Sequence, residues 1–460
     1  MTSNKKNYTA PLTVLTSLFF MWGFLTCLND IMIPHLKGIF DLNYTQSMLI
    51  QFVFFAAYFI CSVPSGKLVK AVGYKTGIII GLLIAAAGAG LFYPSASMQS
   101  YNLFLAGFFI LAAGITLLQV AANPFVAILG TPETSSSRLN LTQAFNSLGT
   151  TVAPLFGHWL ILSVITESMT PLAKAEAVQV PYLLLAAALV ILAVLIGFFK
   201  LPTISGGSAD GDERTDDGFD KLHKSAWAYK HLYLGVIAIF AYVGAEVAIG
   251  SFLILFFEDP NIAGISHAAG AKYVSIFWGG AMIGRFYGAI WLSDKGSKSR
   301  KYVTSAVVSV GAFLVGWYLT KDIALGAVFW GFSTANLIAF QFGKNDPYRT
   351  LGVFSFCTVA LVLITVVVSG PFAMWSILAV GFFNSIMFPT IFTLGVKKLG
   401  RHTPQGSGAL CVGIVGGALV PLASGAVADA VNIQLSFLVP AACYLYITFY
   451  AFVGSKIEAA

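Results

Sequence analysis

Long apolar runs, interrupted by short polar breaks, make up nearly all of this chain. They cover approximately 12–36, 46–69, 76–93, 100–128, 138–165, 178–200, 231–256, 268–293, 302–319, 322–342, 350–368, 371–396, 407–429 and 433–455. At about 1.5 Å of rise per helical residue, runs of this length reach across a hydrocarbon core of roughly 30 Å. The shortest, 302–319, is near the lower limit. The pattern predicts an all-α membrane protein of about 14 transmembrane helices. Residues 201–230 hold the one long polar stretch. Its SGGSADGDERTDDGFDKLHK segment is rich in Gly, Ser and charge, and predicts a flexible linker.

Composition agrees with that pattern. Of 460 residues, 57% are hydrophobic and 10% charged, against about 25% charged in soluble domains. The 45 glycines suit helices that pack closely in lipid. A net charge of +7 would point to nucleic acid in a soluble protein. Here it fits basic residues gathered in cytoplasmic loops, and no nucleic-acid partner is expected. With the N-terminus in the cytoplasm, 21 of the 26 Lys and Arg residues fall in cytoplasmic loops and termini and 4 outside, while Arg285 lies within a helix. The expected location is therefore the bacterial cytoplasmic membrane, with both termini inside. The first apolar run is too long for a signal-peptide core and lacks a small-residue cleavage site, so it is expected to be retained. The five cysteines lie in apolar segments without paired spacing and imply neither disulfides nor zinc.

Internal repeats organise the helices. GKLVKAVGYK aligns with GAIWLSDKGSK by pairing Gly73 with Gly296, an offset of 223. PFVAILG from Pro124 matches PTIFTLG from Pro389, an offset of 265, and GTTVAPLFG matches GGALVPLASG with Pro154 and Pro421 offset by 267. Two halves thus repeat in parallel, as in major facilitator folds. The offset grows by about 43 residues between the first match and the later two, the length of two helices. The prediction is two pseudo-symmetric six-helix bundles, 1–200 and 231–460, joined by the linker 201–230, with an extra hairpin at about 302–342 in the second.

Several segments carry intramembrane polar groups. Asp30 lies in LNDIMIP, and a carboxylate at membrane depth costs about 2.5–3.5 kcal/mol on insertion scales. Such groups usually face a bundle interior or a water-filled cavity. Asn29 adjoins it. Gln119 and Asn123 share one helix face, and Gln143 and Asn146 another. Amides both donate and accept, as sugar hydroxyls do, so these groups could converge on a neutral sugar. The plainer alternative is hydrogen bonding between helices, and Asn123 could simply serve a proline kink. Glu246 is the second intramembrane acid and a candidate for coupling or substrate contact. Asn384, Phe24 and Trp278 are further candidates for the cavity, with Trp22 and Trp375 beside them. Arg285, with Asp294 nearby, reads as a latch at a cytoplasmic helix end. His35 and His158 read as interface residues. No His cluster or Ser/His/Asp set suggests an enzyme, and no cofactor is expected.

LNDIMIP, AANPFVAILG, LNLTQAFNSLG, YVGAEVAIGSF and FNSIMFPTIFTLG together resemble the fucose–galactose–proton symporter family of the major facilitator superfamily. YVGAEVAIGSF is more similar to its glucose/galactose permease branch than to the related L-fucose permease. The resemblance implies that Asp30, Gln143 and Asn146 help bind sugar. Gln119 stands where the family pattern has a titratable glutamate. Coupling could then rest on a proton carried by Asp30, shared with Glu246, or on Na+ held by Asp30 with amide oxygens of Asn29 or Gln119. The expected function is cation-coupled import of a neutral hexose such as glucose or galactose, by a monomer in the bilayer. The alternatives are an N-acetylhexosamine or fucose symporter and an uncoupled facilitator.

Overall fold

The structure is a computed structural model. It describes residues 8–42, 44–160, 169–199, 201–202, 204–205, 208–209, 224–293 and 296–457. Side chains at 28–35, 37–38, 44–45, 47–48, 154–155, 157–160, 171, 204–205, 208–209, 267–269, 271–272 and 319–320 lie outside the described set.

The first half of the chain forms α1 (Thr9–Phe40), α2 (Tyr44–Val72), α3 (Tyr74–Gly90), the short α4 (Phe92–Ser97), α5 (Tyr101–Ile128), α6 (Ser135–Leu160), the short α7 (Pro171–Glu176) and α8 (Gln179–Phe198). Two-residue strands, β1 (Ile204–Ser205) and β2 (Ser208–Ala209), pair antiparallel in the polar stretch. The second half forms α9 (Lys230–Glu258), α10 (His267–Trp291), α11 (Lys298–Thr320), α12 (Ile323–Gly343), α13 (Pro347–Val367), α14 (Pro371–Phe383), α15 (Met387–Gly395), α16 (Thr403–Val412), α17 (Gly416–Ala430), α18 (Ile433–Ser436) and α19 (Leu438–Phe449).

Among the described residues, 11 helical segments are long and apolar enough to cross a membrane. The long helices outside that set are α6, α10 and α11. α6 carries Asn140, Thr142, Gln143, Asn146 and Ser147, α10 carries Arg285, and α11 opens on KSRK.

The chain groups into two compact units. The first holds residues 1–130, 148–225 and 398–412. Within it α5 packs on α2 and α3, α3 packs on α8, and α16 packs on α2. Gly66 allows the last contact, since a Cβ there would meet Pro404 O at 2.8 Å. The second unit holds 131–147, 226–397 and 413–460. Here α14 packs on α10 and α13, α13 packs on α19, and α9 packs on α17 and α19. The pair α11–α12 packs together and lies against α10, while α12 also meets α13 and α14. Thus α10, α13, α14 and α19 repeat the packing of α2, α3, α5 and α8, with α11 and α12 added.

Glycine contacts carry the same repeat into atomic detail. A Cβ on Gly149 of α6 would collide with Phe20 O of α1. A Cβ on Gly416 of α17 would collide with Phe240 O of α9. These two glycines are the paired positions of the GTTVAPLFG and GGALVPLASG match. Small residues let helix backbones approach where lipid gives no hydrophobic drive for association.

Candidate functional site

In the second unit the polar side chains converge on Arg285. Glu246, on α9, is buried, and its Oε1 accepts a hydrogen bond from the Tyr242 hydroxyl at 2.7 Å, one turn earlier on the same helix. Arg285 Nη2 lies 3.8 Å from Glu246 Oε1 and donates to the Tyr242 hydroxyl at 3.5 Å. Arg285 Nε donates to Ser385 O at 3.1 Å. Arg285 Nη1 donates to Ser147 Oγ on α6, and Ser147 Oγ donates to Gln143 O at 3.1 Å. One guanidinium therefore ties α6, α9, α10 and the segment between α14 and α15. Its planar fork of five donors suits that task better than the single ammonium of lysine.

Ser385 O is open to Arg285 because of Pro389. Proline has no N–H, so the carbonyl four residues earlier loses its intrahelical donor, and the ring crowds that carbonyl. The helix stops at Phe383 and resumes at Met387. Gly284, next to Arg285, permits the approach, since a Cβ there would strike Ser385 Oγ and Phe382 O. The first unit repeats the chemistry. Pro124 in α5 frees Val120 O, which accepts from Ser407 Oγ at 2.8 Å. Val120 and Ser385 are paired by the 265-residue offset. α5 nevertheless continues unbroken to Ile128.

Asn384 occupies the break between α14 and α15. It is fully buried, and its amide makes no well-formed hydrogen bond among the described residues. The Tyr444 hydroxyl, also buried, lies beside that amide and interacts with it. Buried polar atoms of this kind are costly unless something satisfies them. Two amide atoms and one hydroxyl could serve a ligand that both donates and accepts. Gln119 is the repeat counterpart of Asn384, in the first unit. Its Nε2 donates to the Tyr58 hydroxyl of α2 at 2.6 Å, and both residues are buried. Asn123, one turn on, is fully buried.

The other sequence candidates fall as follows. Gln143 is buried and Asn146 partly so, on the α6 face that reaches Arg285 through Ser147. Phe24 packs in a small core with Ala153, Cys27, Val152 and Leu185, its ring edge-on to Phe156. Trp278 is 42% exposed and lies against Gly250. Trp22 packs on Phe19, and Trp375 on Tyr273 and Phe332. Arg285 meets Glu246 within the helices; Asp294 lies outside the described residues. Asn29 and Asp30 sit on α1, and their side chains, with the sodium site drawn around Asp30, also lie outside the described residues, as do those of His35 and His158. Tyr242, Ser147, Tyr444 and Tyr58 were not singled out from the sequence. Tyr242 was detectable, because a tyrosine four residues before an intramembrane acid shares its helix face. The other three join the clusters through contacts distant in sequence.

The model of the Major Facilitator Superfamily matches residues 14–343. A glucose/galactose transporter of Brucella abortus is 52% identical over 455 residues, covering 99% of this chain and 96% of that protein. An L-fucose-proton symporter of Escherichia coli is 33% identical, covering 97% of this chain and 93% of the relative. A crystal structure of a Major Facilitator Superfamily transporter, FucP, in the outward conformation superposes with a TM-score of 0.76 at 32% identity, covering 98% of this chain and 100% of that one. This chain belongs to the Major Facilitator Superfamily, in the family that holds these glucose/galactose transporters and L-fucose-proton symporters, which are transporters and not enzymes.

Proposed function

We propose that the protein is a proton-coupled secondary active importer of a neutral hexose, glucose or galactose, working by alternating access in the bacterial cytoplasmic membrane with both termini inside. The observation that carries the substrate class is the 52% identity, over almost the whole chain, to a protein named a glucose/galactose transporter. The geometry supports it. Asn384 and Tyr444 lie side by side as buried donors and acceptors of the kind sugar hydroxyls pair with, and amide-bearing Gln143 and Asn146 lie on the helix tied to Arg285.

Proton coupling is favoured over sodium because two relatives are named proton symporters and because Glu246 has a neutralising partner whose grip depends on its charge. A proton taken up on Glu246 would remove the charge that holds Arg285. Arg285 would then loosen from Tyr242 and Glu246 while still reaching Ser147 and Ser385. Protonation would thus change what ties α6 to α9 and α10. Asp30 is the second proton-carrying group in this reading. Gln119 cannot titrate.

The test is uptake into proteoliposomes of glucose, galactose, L-fucose and N-acetylglucosamine, under an imposed proton gradient or an imposed sodium gradient. Accumulation of glucose or galactose driven by the proton gradient alone is expected. Accumulation only with sodium would overturn the coupling ion, and equilibration without accumulation would overturn active transport.

A further inference from the structure

The helix pair α11–α12 meets α10 and α14 through buried polar contacts, one of them from Trp291 Nε1 of α10 to Ser305 Oγ of α11 at 3.0 Å. The Tyr287 hydroxyl of α10 lies 2.6 Å from Ser309 Oγ on α11 and 2.7 Å from Ser333 Oγ on α12. One turn beyond Ser333, Asn336 Nδ2 donates to Phe382 O at 2.6 Å. Asn336 is fully buried, and its Oδ1 has no hydrogen-bond partner among the described residues. A carbonyl oxygen only accepts, so the contact fixes which end of the amide faces Phe382.

Phe382 lies two residues before Asn384. The backbone bonds across the break run from Asn384 N to Val380 O and from Met387 N to Asn384 O. Phe382 O instead takes side-chain donors, Asn336 Nδ2 and, at 2.7 Å, Ser385 Oγ. Its ring is held by the same helix, with Phe329 at 5.0 Å and Phe332 at 5.7 Å between centroids. α12 therefore grips Phe382 by ring and by carbonyl, at the point where Pro389 has left the chain short of helical hydrogen bonds. Gln119, the repeat counterpart of Asn384 on unbroken α5, is held through its own side chain by Tyr58.

We infer that Asn336, on the added helix pair, is a positioning residue that fixes the α14–α15 break and so aims the Asn384 amide at the transported sugar. The functional half of this inference rests on the hexose-carrier reading; the structural half does not. Without the Asn336 amide the break would lose one of two donors on Phe382 O, and Asn384 would sample other orientations. Substrate affinity would fall while the transport cycle stayed intact.

The test compares Asn336→Leu with Tyr287→Phe, which cuts the polar contacts to Ser309 and Ser333 but leaves Phe382 O untouched. Two readouts are taken: KM and Vmax for glucose and galactose in proteoliposomes, and hydrogen–deuterium exchange of amides 383–387 in sugar-free protein. Asn336→Leu is expected to raise KM about fivefold, the worth of one lost buried hydrogen bond, with Vmax nearly unchanged and faster exchange at the break. Tyr287→Phe is expected to lower thermal stability and leave KM and exchange at the break as in wild type. If Asn336→Leu does not accumulate in the membrane, Asn336→Ser takes the same two readouts. Wild-type KM and exchange in a folded Asn336 variant would overturn the inference, as would an equal rise in KM from Tyr287→Phe. If the wild type carries no hexose, the functional reading fails, and the exchange data still decide whether Asn336 holds the break.

Discussion

Arg285 stands 3.8 Å from the Glu246 carboxylate and at the same time donates to Ser385 O, a carbonyl that Pro389 has freed. The ion pair and the helix break are thus parts of one arrangement. The charge on α9 holds the guanidinium, and the guanidinium holds the break.

Removing one partner of this pair should cost far more than removing its charge. Arg285→Ala leaves a buried carboxylate without compensation, at about 3–5 kcal/mol. A large drop in the thermal unfolding temperature of the detergent-purified protein is expected. Glu246→Gln keeps an acceptor for Tyr242 and should fold. It should abolish accumulation against a gradient while retaining sugar exchange across the membrane. Full accumulation by Glu246→Gln would exclude Glu246 from coupling.

Pro389→Ala restores an N–H that can bond Ser385 O and compete with Arg285. The segment between α14 and α15 should become more helical and Asn384 should be re-aimed. A raised KM for sugar with normal membrane levels is the expected outcome. Ser407→Ala, which removes the donor from the equivalent carbonyl Val120 O, should cost about 1 kcal/mol of stability.

Gln119→Leu leaves the Tyr58 hydroxyl buried without its amide partner, a loss of about 1–3 kcal/mol. Gln119→Glu replaces the amide donor with an acceptor, to which the Tyr58 hydroxyl can turn its own proton, and introduces a titratable group. It is expected to fold and to change the pH dependence of uptake relative to wild type. Identical pH profiles would show that position 119 does not communicate with the coupling step.

Gly149→Val and Gly416→Val each drive a side chain into a backbone carbonyl of a neighbouring helix, Phe20 O and Phe240 O. Overpacking against backbone costs about 1–3 kcal/mol or more. Both variants should show reduced thermal stability, and similarly so, because the two contacts are repeats of each other. A neutral result at either position would break that equivalence.

Much of the fold was legible in sequence. Apolar length gave the spans, because a bilayer leaves an isolated hydrophobic run little choice but to cross it as a helix. The Gly149–Gly416 match pointed to two glycines that meet equivalent helices. The acid Glu246 announced itself by the expense of a carboxylate at that depth. Its partner did not. Arg285 reads from the sequence as a latch near Asp294, because residues close in sequence are the only neighbours a pattern can supply. Beside Glu246, Gly244 lies against Val420 and Gly250 against Trp278.

The sequence by itself determined the membrane class, the two repeats, the added helix pair and the residue types able to serve a sugar and a cation. Those features follow from local hydropathy and internal similarity, which are properties of the chain read in order. Only the tertiary structure decided that Arg285 pairs with Glu246, that Asn384 sits in a broken helix while its counterpart Gln119 sits in a whole one, and that Asn336 reaches the break. Each of those depends on contacts between residues from 39 to 138 positions apart. Whether a proline merely bends a helix or breaks it depends on which side chains arrive to satisfy the carbonyl it frees, and that is settled by packing.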